Sequence, residues 1–262
     1  MLRLALLLLM TFSLLLAKEL TLGVVPQQSP LKLLKVWKPV ASYLSKATGL
    51  TITFKTEKSI PLFSKKLYQG HYDLAYVNPI HFVLAHDKAG YDARVRAEKN
   101  IVGIMIAAKG KSLQSLLASD PTFLFPAPNA FAATLLVKYE LLTKFGVDVE
   151  KKKFRYVNSH DSVYKGIARG IGEIGGGIIR TFKAFNDQKS KEKISIIYKT
   201  KAYPSHPFVF HPRVPKQIQE KLIQALISMP EELKQALKLK KMISIDNDEY
   251  KNVKNLAKKL KL

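Results

Sequence analysis

Residues 20–49 of this 262-residue chain set its fold, and they read LTLGVVPQQSPLKLLKVWKPVASYLSKATG. The apolar run from Leu20 to Val25 is typical of a buried strand. A loop at 26–30 with a proline at each end follows, and a helical pattern then runs from Leu31 to Gly49. The stretch therefore predicts one strand–loop–helix unit.

The same unit recurs along the chain. Further strands are predicted at 51–55, 72–77, 101–108, 123–125, 154–157, 194–200 and 208–210, and helices at 60–68, up to Gly90, up to Gly146, up to Gly170 and from Pro215 onward. Strands separated by helices of this length pair in parallel. We therefore expect an α/β fold of two lobes, each a mostly parallel sheet flanked by helices.

The order of these units predicts where the lobes divide. The last strands and helices read as a return to the first lobe, which makes that lobe discontinuous. We place lobe 1 at residues 18–101 plus 201–262 and lobe 2 at residues 102–200.

The first 17 residues have the layout of a secretory signal peptide. Arg3 precedes an apolar stretch that reaches Ala17, and polar sequence begins at Lys18. The alternative is a membrane anchor, but a spanning helix needs about 20 apolar residues and this stretch is shorter. We expect cleavage after Ala17 and export to the periplasm.

Composition limits the classes of function. The chain carries 43 lysines and arginines against 20 acidic residues, a net charge of +23. Such a charge can indicate nucleic-acid binding, but export and the even spread of the lysines favour a solvated surface, so we expect no nucleic-acid partner. Cysteine is absent, as are G-x-S-x-G, H-E-x-x-H and phosphate-loop motifs. We therefore expect neither an enzyme nor a bound metal or cofactor.

Open α/β sheets bind ligands outside the carboxyl ends of their strands, where helix N-termini present free backbone N–H groups. The loops at these ends include Gln27, Asn78 and residues 126–130. Asn129 is predicted to cap the next helix, which leaves the first-turn amides of Ala130 to Ala133 open to an anion. The alternative is a capped helix with no ligand.

Two further side chains follow predicted strands. His160 stands at a helix start, where a ring N–H can donate to an oxyanion, although a lone histidine is often structural. Arg180 follows Gly175–Gly177, a bare backbone that permits close approach of a ligand, and a guanidinium grips an oxyanion with two donors. The alternative for Arg180 is a surface salt bridge.

The ordered set of these segments resembles the phosphate, phosphite and phosphonate-type periplasmic solute-binding proteins of ABC transporters. The segments are 22–26, Gly70 to Pro79 (GHYDLAYVNP), 125–131, 159–163 and 175–177. The resemblance implies a two-lobed type II periplasmic-binding-protein fold that closes on its ligand by a hinge motion. It also implies that Tyr76, the loop from Asn129 to Ala133 and His160 contact the ligand.

Two departures bear on the ligand. Ala130, Phe131 and Ala132 stand where this family often has hydroxyl side chains, so backbone amides and Thr134 would have to replace them. Arg180 stands where an acidic partner for an amine-bearing phosphonate would be expected, which disfavours an aminophosphonate.

We therefore predict a monomer that captures a small oxyanion (phosphate, phosphite or phosphonate-like) and delivers it to an ABC transporter permease. It would meet the membrane only through that partner. Two alternatives remain at this point. One is a ligand-sensing periplasmic module of a membrane signalling system. The other is a cleft enzyme that uses His160 and Asp161.

Overall fold

The computed structural model describes residues 19–28 and 30–262. The predicted signal peptide at 1–17 and its cleavage after Ala17 lie outside these residues. Within the described ranges, each helix is too short or too polar to cross a bilayer.

The first lobe is built on a six-stranded sheet. Its elements are β1 (Glu19–Val24), α1 (Pro30–Thr48), β2 (Thr51–Lys55), α2 (Ile60–Tyr68), β3 (Leu74–Tyr76), α3 (Pro79–Ala89) and β4 (Asp92–Ala97). The chain later returns with β10 (Pro207–Phe210), α9 (Lys216–Ile227), α10 (Glu231–Ala236), β11 (Met242–Ser244), a 3-10 turn (Asn247–Tyr250) and α11 (Lys251–Lys259).

The second lobe is built on a five-stranded sheet. Its elements are β5 (Ile101–Ala108), α4 (Leu113–Leu117), β6 (Phe123–Phe125), a π-helical turn (Phe131–Leu135) that leads into α5 (Leu136–Phe145), and a 3-10 turn (Val149–Lys151). They continue with β7 (Phe154–Tyr156), α6 (His160–Ala168), β8 (Ile174–Ile178), α7 (Ile179–Lys183), α8 (Gln188–Lys191) and β9 (Ile194–Tyr203).

The two sheets share one strand order. It is β2-β1-β3-β10-β4-β11 in the first lobe and β7-β6-β8-β5-β9 in the second. This order confirms the predicted two-lobed α/β fold. The prediction of mostly parallel sheets was wrong, because both sheets are mixed. In each lobe one strand, β10 or β5, inserts antiparallel to both of its neighbours, so parallel pairs remain on one side of it only.

Two short segments connect the lobes. Residues 98–100 join β4 to β5, and residues 204–206 join β9 to β10. Strands β5 and β9, which border the two segments, pair directly with each other, since Ile101 lies opposite Tyr203 in the second sheet. We name residues 98–100 the first crossing and residues 204–206 the second crossing.

Helix α1 illustrates how the sequence pattern produces this layering. The side chains that recur at helical spacing are buried against the first sheet, namely Leu33, Trp37, Val40, Ala41 and Leu44. The lysines between them, at 32, 35, 38 and 46, are exposed. The helix therefore buries one apolar face and leaves a basic face in solvent.

The lobes also contact each other through a shared apolar cluster. Ile80 and Val83 of α3 belong to the same buried cluster as Phe131 and Leu135 of the π-turn and Ile178 of β8. The carboxyl ends of β3 and β8 and the starts of the helices that follow them therefore lie at one interface.

Candidate functional site

A group of packed aromatic rings lies at the end of β3, in lobe 1. Tyr76, at the end of β3, packs against Trp37 with ring centroids 4.8 Å apart, against Phe208 at 4.9 Å and against His206 at 5.7 Å. Burial raises the pKa of Tyr76 to about 12. Its hydroxyl is therefore a neutral hydrogen-bond donor at physiological pH.

Asn78, predicted from its loop, is buried and caps helix α3. Its side-chain oxygen accepts from the backbone N–H of His81 at 2.8 Å, and Pro79 occupies the first helical turn. This bond fixes the entry of α3 at the end of β3. Part of the hydrogen-bonding capacity of Asn78 is thus used within the fold.

His81 is a site residue that sequence reasoning missed. It is 3% exposed; its Nε2 lies 3.2 Å from the Ser64 hydroxyl, and its Nδ1 has no partner within the described residues. Burial lowers the pKa of His81 to about 4, so the ring is neutral. Its only signal in the sequence was its place in the first turn of a helix that follows a strand.

His206, on the second crossing, is a further residue that sequence reasoning did not propose for the site. Its ring stacks on Tyr76, and its Nε2 lies 3.2 Å from Nε2 of Gln27. Burial, with contributions from Arg180 and His81, lowers the pKa of His206 to about 3. Gln27, predicted from its loop, therefore meets a neutral imidazole at the interface.

The loop before α5 differs from its prediction. Asn129 is exposed and does not cap the helix, because Ala130 occupies the cap position and has no side-chain hydrogen bond. The first turn is a π-turn in which the N–H of Leu135 reaches the carbonyl of Ala130. The Thr134 hydroxyl donates to the carbonyl of Ala127 at 2.8 Å and holds the loop instead.

This π-turn has two consequences for a ligand. The hydrogen of the Thr134 hydroxyl is already donated within the loop, so Thr134 is no free donor. The backbone N–H groups of Phe131, Ala132 and Ala133 lie in the first turn, where a helix supplies no acceptor.

The glycines of β8 allow the π-turn and helix α6 to pack closely against the sheet. A methyl group on Gly176 would lie 1.9 Å from the carbonyl oxygen of Ala133, and one on Gly177 would lie 2.6 Å from the hydroxyl of Tyr164. A methyl group on Gly103, on the neighbouring strand, would lie 2.3 Å from the carbonyl oxygen of Ala132. On the side where a Cβ would stand, helix, strand and π-turn atoms fill the space beside Gly175–Gly177, and close approach of a ligand to this backbone stays a prediction.

His160 begins helix α6 as predicted. Ser159 caps this helix by accepting from the N–H of Ser162 at 3.0 Å. The Nδ1 atom of His160 is buried and has no partner within the described residues. Burial lowers the pKa of His160 to about 4, with Asp161 acting in the opposite direction and Arg180 in the same direction.

Arg180 lies in α7 and is exposed to solvent. Its positive charge acts on His160 in lobe 2 and also on Tyr76 and His206 in lobe 1. It forms no salt bridge with a carboxylate in the described ranges. The surface salt bridge considered as its alternative role is therefore not found there.

The chemistry of this arrangement is that of anion recognition. The positive charge of Arg180 acts on one phenol and two neutral imidazoles, and the first-turn amides of residues 131–133 are further donors in lobe 2. In the part of the chain that the structure describes, no group of three or more acidic or histidine side chains could hold a metal ion. A small oxyanion suits the donors, because guanidinium and N–H groups bind oxyanions by charge-assisted hydrogen bonds.

Two α/β lobes of one strand order, joined by two crossings, define a two-lobed type II solute-binding protein. Residues 22–250 match the sequence model of the family described as "ABC transporter, phosphonate, periplasmic substrate-binding protein". The chain belongs to this family of phosphonate-type, non-enzymatic binding proteins of ABC transporters.

Solved structures share the fold at low sequence identity. A binding-protein component of an ABC phosphonate transporter from Pseudomonas aeruginosa is 18% identical, with a TM-score of 0.74 over 92% of this chain and 85% of that one. PhnD1 from Prochlorococcus marinus, in complex with methylphosphonate, is 18% identical, with a TM-score of 0.77 over 94% and 99%. A Xanthomonas citri protein bound to chloride ion is 14% identical, with a TM-score of 0.77 over 93% and 97%. The search of curated proteins gives no match.

Proposed function

We propose that this protein captures a small phosphorus oxyanion, phosphonate-like, phosphite or phosphate, between its lobes and delivers it to the permease of an ABC transporter. The observation that supports this is the position of Arg180. Its charge acts on groups of both lobes and meets no carboxylate in a salt bridge among the described residues. A bound anion would supply the missing negative charge and hold the lobes together.

The two lobes would contribute different donors. From lobe 2, Arg180 would bind two ligand oxygens, and His160 and the amides of residues 131–133 would each donate to an oxygen. From lobe 1, the Tyr76 hydroxyl would donate, next to the pair formed by Gln27 and His206. Ligand contact by Asn78, Asn129, Ala130 and Thr134 remains part of the proposal, with Thr134 limited to accepting a hydrogen bond.

Arg180 also bears on which phosphonate fits. An ammonium group on the ligand would lie near the guanidinium and would be repelled, because like charges at close range disfavour each other. We therefore propose a ligand without an amine. Methylphosphonate is the first ligand to test, since a protein of the same fold was solved in complex with it.

Isothermal titration calorimetry tests the ligand proposal. The mature chain, unfolded and refolded to remove any carried ligand, is titrated with methylphosphonate, phosphite, phosphate and 2-aminoethylphosphonate. We expect binding of at least one of the first three and weaker binding of the last. Absence of binding to every one of them at millimolar concentration would defeat the proposal.

A pair of variants tests the role of Arg180. Arg180→Gln should weaken binding roughly 10- to 150-fold, the range that a charge-assisted hydrogen bond contributes. Arg94→Gln is the matched control, because Arg94 pairs with Glu220 at 2.8 Å and its loss changes the net charge equally. Equal affinities of the two variants would remove Arg180 from the site.

The transport part of the proposal needs a partner. The protein would work as a monomer in the periplasm and would reach the membrane only through the permease. The test is reconstitution of the permease and ATPase encoded beside it in proteoliposomes. Stimulation of ATP hydrolysis by the loaded protein supports transport, whereas a neighbouring sensor kinase that responds to it would support sensing.

A further inference from the structure

Side chains hold backbone carbonyl groups at the two crossings. Arg96, in β4, donates from Nη1 to the carbonyl oxygen of Ala97 at 2.8 Å and to that of Glu98 at 2.9 Å. The Ser205 hydroxyl donates to the same Ala97 oxygen at 2.9 Å. This last bond joins the second crossing to the end of β4, where the first crossing begins.

The 3-10 turn that precedes α11 contacts both crossings. Glu249 of this turn accepts from Nε of Arg96 at 2.6 Å. Tyr250 of the same turn donates its hydroxyl to the carbonyl oxygen of Ser205 at 2.7 Å. One turn of lobe 1 therefore reaches the first crossing through Arg96 and the second crossing directly.

These contacts are buried and anchored in lobe 1. Arg96 is 8% exposed and Tyr250 is 1% exposed. The ring of Tyr250 packs edge-on against Phe82 of α3, with centroids 4.9 Å apart, and the Asn247 side chain accepts from the N–H of Ala93 in β4 at 2.8 Å. Breaking a buried hydrogen bond leaves an unsatisfied polar group, so the crossings resist free rotation.

The helix that follows the turn also reaches lobe 2. Val253 and Leu256 of α11 are fully buried in the apolar cluster that contains Leu135 and Leu136 of lobe 2, and α11 packs against α5. The turn therefore connects the crossings to a helix that contacts both lobes. A displacement of the crossings would be felt by that helix.

We infer that these side chains clamp the two crossings into one stiff hinge, which limits the relative orientations of the lobes and thereby supports ligand affinity. The clamp comprises Arg96, Ser205, Glu249 and Tyr250. A hinge motion is expected from the two-lobed fold, and these positioning residues would limit its range. Without them, a smaller fraction of molecules would have the arrangement that binds ligand, and the apparent affinity would fall by that fraction. The effect on affinity rests on the proposed function, whereas the effect on the lobes does not.

Distances between spin labels test the clamp without any ligand. The chain has no cysteine, so Ser42→Cys in α1 and Gln114→Cys in α4 place one exposed label in each lobe. Double electron–electron resonance then gives the distribution of distances between the lobes. In this labelled protein, Tyr250→Phe and Ser205→Ala each remove one hydroxyl from the clamp. We expect both variants to widen the distribution.

Tyr43→Phe is the matched control. Tyr43 also donates its hydroxyl to a backbone carbonyl within lobe 1, that of Ala225 at 3.0 Å, but this bond joins α1 to α9 and not the crossings. The control loses a comparable hydrogen bond and should keep the distance distribution of the unsubstituted protein. Distributions that are equal in all variants, or that Tyr43→Phe widens as much as the clamp variants, overturn the inference.

Calorimetry with methylphosphonate measures the consequence for binding. Tyr250→Phe and Ser205→Ala should bind it roughly 2- to 10-fold more weakly, the range of one neutral hydrogen bond, and Tyr43→Phe should bind it with unchanged affinity. Unchanged affinity of the clamp variants would overturn the role of the clamp in binding. If the unsubstituted protein binds no phosphorus oxyanion, the proposed function fails, and the distance measurement still decides whether the clamp limits the lobes.

Discussion

Replacing Gly176 with alanine should displace the loop at 129–134, which we propose binds the ligand. Gly176 lies in β8, and its α-carbon faces the carbonyl oxygen of Ala133 in the π-turn. A methyl group there would lie 1.9 Å from that oxygen and 2.7 Å from the Phe125 ring. Since carbon and oxygen rarely approach closer than about 3.3 Å, the π-turn must move by roughly 1 Å or more.

The size of the effect follows from what is displaced. Overpacking in a core costs about 1–3 kcal/mol, and here the struck atom belongs to the backbone and cannot rotate away. We expect Gly176→Ala to lower the free energy of unfolding by about 3 kcal/mol, measured by urea denaturation. The same shift displaces the amides of residues 131–133, so methylphosphonate affinity should fall at least tenfold.

Gly110→Ala is the control for this variant. Gly110 has a φ of +86°, and no atom lies within 4 Å of the position that an added methyl group would occupy. Its cost is therefore that of left-handed backbone alone, about 1–2 kcal/mol. Its effect on ligand affinity should be negligible. The reasoning is refuted if Gly176→Ala loses no more stability than Gly110→Ala and binds the ligand with unchanged affinity.

Two further predictions concern stability. Burial lowers the pKa of His81 from 6.5 to about 4, so the unfolded chain takes up its proton first, and stability falls as pH decreases from 6.5 towards 4. His81→Gln should remove about 2 kcal/mol of the difference in unfolding free energy between pH 7.5 and pH 5, and an unchanged difference would contradict it. Asp73 is a buried carboxylate that accepts from Thr21 and from Arg213 at 2.7 Å, and Asp73→Asn should cost about 3 kcal/mol in urea denaturation. Asp87→Asn, which breaks an exposed pair with a lysine, should cost less than about 1 kcal/mol, and equal costs would count against a special role for Asp73.

Most of the fold could be predicted because its signals are local. The strand predicted at 20–25 is observed as Glu19–Val24, and helix α3 ends before Gly90, which has a φ of +69°. Such short apolar runs and glycine stops depend on neighbours in the sequence. The antiparallel direction of strands β5 and β10 was harder to predict from the sequence, because it depends on which sheet the chain enters after each crossing.

The conformation of the loop at 129–134, which we propose binds the ligand, was predicted only in part, and the error has a physical cause. Residues 129–134 read as an ordinary capped helix start, with Asn129 as the cap. The π-turn forms where Gly103 and Gly176, on two other strands, leave room for the carbonyls of Ala132 and Ala133. Contacts so distant in sequence carry no periodic signal.

The histidines, like the loop, could be predicted from the sequence only in part. His160 could be proposed because it begins a helix after a strand. His81 also lies in the first turn of such a helix but was not singled out, and His206 is in a proline-flanked turn. All three are held neutral by burial, and His81 also contributes to the lowered pKa of His206. Burial of this kind is set by packing of both lobes and is absent from any local stretch.

The net charge of +23 and the residues of the proposed site act at different ranges. Surface lysines raise the concentration of anions around the protein, but their fields are screened beyond about 8 Å at physiological salt. They attract sulfate and phosphonate alike and therefore cannot choose between them. Discrimination between these anions requires groups that contact the ligand in a desolvated site. There, one unpaired charge or one unmatched hydrogen-bond acceptor changes affinity by more than tenfold. We propose that Arg180 and the neutral imidazoles occupy that position, so that the choice of ligand depends on them and not on the positive charge elsewhere on the surface.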